Sequence, residues 1–103
     1  MKVITVCGSY KYINEMKEAA LDLELQGIVA LTPIDLTKPK DFYSDDDFNR
    51  LGLMHKEKIR MSNGILVVDV DHYIGESTKS EIEFAKSLNK EVLYWSDLYE
   101  KKN

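Results

Sequence analysis

A chain of 103 residues, 44% hydrophobic and 31% charged, has the size and balance of one soluble globular domain, and no apolar run nears the roughly 20 residues of a membrane helix. Its net charge of −4, without a Lys/Arg cluster, argues against duplex nucleic acid as the main partner. The single cysteine, Cys7, rules out an internal disulfide and fits a reducing compartment.

The chain opens on a β-rich run from Lys2 to Cys7, followed by Gly8-Ser9-Tyr10-Lys11. Tyr10-Lys11-Tyr12 stops the apolar run short of a signal-peptide core of roughly 7–15 residues, so the reading is cytoplasmic. Cys7 at a strand end permits a nucleophile, but no Cys-x5-Arg loop follows and a small buried strand residue is the favoured reading. Ile13, Met16, Ala19, Ala20 and Leu23 recur at helical spacing, and Gly27 ends that helix. For Gly8 and Ser9, a ligand contact competes with a simple tight turn and helix cap.

Ile28 to Leu31 reads as a second strand, stopped by Thr32-Pro33. Residues 33 to 47 form a long loop of the kind that covers sites, in which Phe42 and Tyr43 either stack on a base or pin the loop to the core. Asp45-Asp46-Asp47 resembles a metal cluster less than it does the acidic start of a helix. That helix is expected over Phe48 to Met61, with Leu51, Met54, His55 and Ile59 on one side and Met54 and Met61 as core filler. His55 and His72 are the only histidines, and with one cysteine they make no recognisable zinc spacing, so neither a metal nor another cofactor is expected.

Residues 64 to 95 make the most informative unit. Ile65 to Val68 do not alternate, which is how a strand covered on both faces reads, and Asp69 and Asp71 stand at its carboxyl end, the edge where parallel sheets bind ligands. The loop His72-Tyr73-Ile74-Gly75-Glu76-Ser77-Thr78 leads into an amphipathic helix carrying Ser80 and Glu81, and Lys90 to Trp95 give a fourth strand. Gly75, Ser77, Thr78 and Ser80 at a helix start, with Gly8, Ser9 and Tyr10 across the crevice and Lys79 nearby, suit a phosphate. Glu81 has a second reading, because Thr78-Lys79-Ser80-Glu81 has the form of a capping box. Asp69 and Asp71 are candidates for a leaving-group acid or for hydrogen bonds to loop amides. Ser96 to Glu100 start a last short helix that frays into Lys101-Lys102-Asn103.

The segment Gly75 to Ala85 resembles the one that carries the catalytic glutamate in the nucleoside 2-deoxyribosyltransferase-like superfamily, whose pattern ends Glu, any residue, Gly, any residue, Ala. Glu81 and Ala85 match, Glu83 replaces the glycine, and Val6-Cys7-Gly8-Ser9 extends the likeness to the first strand. The resemblance spans residues 3 to 95 and implies a nucleoside or nucleotide substrate, with Glu81 as nucleophile in N-glycosidic cleavage or deoxyribosyl transfer. Lys58 stands where the family carries a sugar-holding aspartate, and the pattern is closer to short members found in phage and bacterial genomes. A module that binds nucleotides without turnover is the alternative.

Together these elements predict a single domain over residues 1–103, an α/β three-layer sandwich on a short parallel sheet of about four strands in order 2-1-3-4, Rossmann/flavodoxin-like. So small a core, and the family's habit of completing sites across subunits, imply a homodimer or higher homo-oligomer.

Overall fold

A computed structural model describes residues 1–99. Four strands, β1 (Val3–Cys7), β2 (Val29–Leu31), β3 (Gly64–Val67) and β4 (Glu91–Tyr94), form one all-parallel sheet in the order β2-β1-β3-β4. The helices are α1 (Ile13–Leu25), α2 (Asp45–Arg60), α3 (Glu76–Ser87) and the short α4 (Trp95–Tyr99), with single 3-10 turns at Tyr10–Tyr12, Lys40–Phe42 and Val70–His72. This is the doubly wound, Rossmann-like arrangement expected from the sequence. The expected end of the last helix at Glu100, and its fraying into residues 101–103, lie outside the described residues.

Because side chains alternate along each strand, the two central strands supply both cores. On one face Ile4, Val6, Leu66 and Val68 pack against Met16, Ala19 and Leu23 of α1. On the other, Cys7, Ile65 and Val67 meet Ile59 of α2 and Ile82 and Ala85 of α3. All four residues of β3 are buried, which explains its unbroken apolar run.

Local signals set the element ends. Gly27 adopts φ 85° just beyond α1, a conformation that an L side chain enters only with strain, and the amide of Ile28 closes the turn on the Leu23 carbonyl. Ser44 caps α2: its hydroxyl accepts from the Asp47 amide while the Asp47 carboxylate accepts from the Ser44 amide, a reciprocal box that holds Asp47 below the usual carboxylate range. The three aspartates therefore open a helix, three residues earlier than its expected start.

Two expectations fail here. Met54 and Met61 are exposed, at 49% and 68%, and the buried methionine is Met16 on α1. The capping box at Thr78 does not form, because α3 begins at Glu76 with Gly75 as its cap; Thr78 is buried inside the first turn and Glu81 lies in the second.

Candidate functional site

The carboxyl ends of β1 and β3 diverge into a crevice, as the order reversal between them requires. Gly8 leaves β1 so close to its neighbours that an added Cβ would sit 3.1 Å from the Val68 carbonyl oxygen and 3.2 Å from Met16 Sδ. A glycine at this position keeps the crevice open at its base.

A cavity of about 280 Å³ opens there. Gly8 and Met16 form its floor, Pro33, Ile34, Leu36 and Lys40 of the long loop one wall, and Phe48, Leu51 and His55 of α2 another. Ser77 and Glu81 of α3 close it. Next to it a second, more polar hollow of about 320 Å³ is lined by Asn49, Lys56, Ser77, Ser80 and Glu81. Phe48, Gly52, Ser77 and Glu81 belong to both, so Glu81 stands at their junction.

Glu81 sits in a mostly dry place. Burial pushes its carboxyl up to about 7, against lesser lowering by Cys7 and Lys56. His55 Nε2 is 3.8 Å from Glu81 Oε1 and 3.4 Å from Cys7 Sγ. That first distance is of ion-pair length, yet burial also drives His55 down to about 4, so near neutral pH the imidazole is uncharged and the contact is no salt bridge. The Cys7 thiol is pushed well up by burial and then by the charge of Glu81. Among the described residues His55 Nδ1 is buried without a hydrogen-bond partner.

The long loop is held by Tyr10. Its hydroxyl donates to Asp35 and accepts from the Leu36 amide at 3.1 Å, while Lys17 Nζ reaches Asp35 as well. The hydrogen bond to Asp35 raises the tyrosine pKa, and Lys17 followed by Tyr10 lowers that of Asp35. Tyr10→Phe should free the 32–44 loop, and limited proteolysis should then cut within it several-fold faster than in wild type with the melting temperature little changed.

Of the other residues singled out from sequence, the structure separates several from the crevice. Asp69 is buried with its two oxygens accepting from the Ser96 amide and hydroxyl, each at 2.8 Å; it anchors α4 and lines neither cavity. Its partner is thus α4 and not the loop amides. Asp71 lies outside both cavities too, in a turn where it and His72 take φ 54° and 61°. Ser9, Gly75 and Thr78 also stand outside the two linings, as does Lys79, which lies 3.5 Å from Glu76. Phe42 is exposed and Tyr43 accepts from the Lys38 amide, so this pair braces the loop and Phe48 is the aromatic that faces the cavities. Lys58 donates to the Thr32 carbonyl at 2.7 Å and ties α2 to the end of β2.

Sequence reasoning missed Lys56 as the cation of the polar hollow, and missed that Cys7 and His55 share an interior with Glu81. Helical spacing offered one clue: Lys56 follows His55 and lies four residues after Gly52, so both stand on the flank of α2 that faces α3. Comparison of the chain with protein-family models and with curated proteins returns no match.

Proposed function

We propose that the paired cavities take a nucleoside 5′-phosphate and that Glu81 acts on its N-glycosidic bond. The observation that carries this reading is the position of Glu81 at the boundary of an apolar hollow and a polar one. A nucleotide has the same division. The base fits the apolar cavity between Met16, Leu36 and Phe48, and the sugar phosphate fits the polar one beside Lys56, Ser77 and Ser80. The sugar carbon bonded to the base then falls next to the Glu81 carboxylate.

As that bond breaks, positive charge develops on the ring, and an ionised carboxylate stabilises it or attacks to form a glycosyl intermediate. The departing base takes a proton from solvent or from a neighbouring acid; the hydrogen bonds from Ser96 to both Asp69 oxygens favour a structural role for that residue. Water or a second base then releases the sugar. The elevated pKa of Glu81 leaves the ionised form partly populated near neutrality, so turnover rises with pH through about 7.

The same pKa, together with the use of Lys58 to hold Thr32, favours a second reading in which the crevice binds nucleotides without turnover. Incubating the protein with nucleosides and their 5′-monophosphates, with chromatography for free base and calorimetry for binding, tests both. Base release supports the enzyme, and tight binding without release supports the binding module. Monophosphates should bind at least tenfold tighter than nucleosides through Lys56 and the hydroxyls; equal affinity would remove the phosphate assignment.

A further inference from the structure

We infer that Cys7, His55 and Glu81 form a binding site for a zinc-type divalent cation. The three residues come from β1, α2 and α3, and their ligand atoms all lie within 4.8 Å of one another. Tetrahedral zinc, with bonds of about 2.0–2.3 Å, sets its ligands about 3.3–3.6 Å apart. Cys7 Sγ and His55 Nε2 already stand at 3.4 Å, and His55 Nε2 and Glu81 Oε1 at 3.8 Å. Small side-chain movements therefore close the set around an ion.

The donors choose the metal. One thiolate, one imidazole and one carboxylate match zinc or cobalt, whereas magnesium and calcium take oxygen donors almost alone. Three protein ligands leave a fourth position, and the cavity lined by His55 and Glu81 supplies both the entry path and the room for a water or a ligand atom there. His55 is 7% exposed, and among the described residues no group hydrogen-bonds its second ring nitrogen. On binding, the thiol proton and any proton held by Glu81 pass to solvent, and no electron moves.

The site shares Glu81 with the glycosidic chemistry but does not depend on it. An ion held here occupies the carboxylate, so a metal-loaded molecule is switched off for base release; binding itself is read by spectroscopy whether or not base is released.

The test is titration of the metal-free chain with cobalt(II). One equivalent should develop the visible bands of a tetrahedral ion and a thiolate-to-cobalt charge-transfer band, and zinc(II) should displace it. Cys7→Ser should lose the charge-transfer band and bind at least tenfold more weakly, His55→Gln should also weaken binding tenfold or more, and Glu83→Gln, an exposed change, should bind as wild type. Where Cys7→Ser fails to fold, by circular dichroism, X-ray absorption of the zinc-loaded wild-type chain replaces it: one sulfur neighbour at about 2.3 Å should appear beside the nitrogen and oxygen ligands. A chain that shows no cobalt bands, or whose bands survive a folded Cys7→Ser variant, or whose bound zinc has no sulfur neighbour, overturns the assignment.

Discussion

Glu81→Gln should lower base release by about 10²-fold or more while making the folded protein more stable at pH 8. The first effect follows because stabilisation of a ring cation is electrostatic and a neutral amide supplies neither charge nor a competent nucleophile. The second follows from linkage. A carboxyl raised from 4.5 to about 7 binds its proton more tightly when folded, so its contribution to stability is full below about 4.5 and is lost as pH climbs to about 7. At about 1.36 kcal/mol per pKa unit, ionised Glu81 costs the fold about 3 kcal/mol above neutrality.

His55 has the opposite sign. Lowered from 6.5 to about 4, it favours the fold increasingly as pH rises from about 4 to 6.5. Between about 4.5 and 6.5 the two slopes cancel, because the pair holds one proton in both the folded and the unfolded chain. Wild type should therefore show stability nearly flat across that window and falling above it. The Gln variant should show the histidine slope alone and then a plateau, with its melting temperature at pH 8 higher by roughly 4–8 °C for each kcal/mol recovered. Denaturant melts at pH 4.5, 6.5 and 8 check this. A Gln variant with normal base release would end the catalytic assignment, and one no more stable than wild type at pH 8 would mean that Glu81 is better solvated than its position indicates.

Asp69→Ala should destabilise the protein by about 3 kcal/mol and leave base release per folded molecule unchanged. Its carboxylate satisfies the amide and the hydroxyl of buried Ser96, and its loss strands both donors and opens a void at the root of α4. Urea denaturation and single-turnover assays on the folded fraction separate the two quantities. Loss of base release at full stability would restore Asp69 as a leaving-group acid.

The contrast between these two acids shows where the sequence was legible. Unbroken apolar runs, a C-cap glycine and turn residues are local signals, and they were enough for the four strands, their order and the end of α1. Glu81 was visible because its segment is contiguous. The setting of Glu81 was not visible, because Cys7 and His55 lie 74 and 26 positions away in the chain and meet it only through the sheet and the packing of α2 on α3. Asp69 read as a site residue for the converse reason. Its place at a strand end was clear, while its partner Ser96, 27 residues later, carries no local mark. The capping box at Thr78 matched in composition but lost to Gly75, where the chain already turns into α3.

The strand order also governs how the molecule assembles. The ladder pairing Thr5 with Ile65 joins positions 60 apart, whereas Val3 with Val29 and Ile65 with Val92 join positions 26 and 27 apart. With no hairpin in the sheet, contact order is high and each pairing must first close a long loop. The β1-α1-β2 and β3-α3-β4 halves are the shorter closures, and the central ladder is the longest. Gly8 and Met16 belong to the first half and Ser77 and Glu81 to the second, with α2 between them. A nascent chain that has formed either half alone therefore has no pocket, so affinity for any ligand of the crevice should appear only once the central ladder has closed.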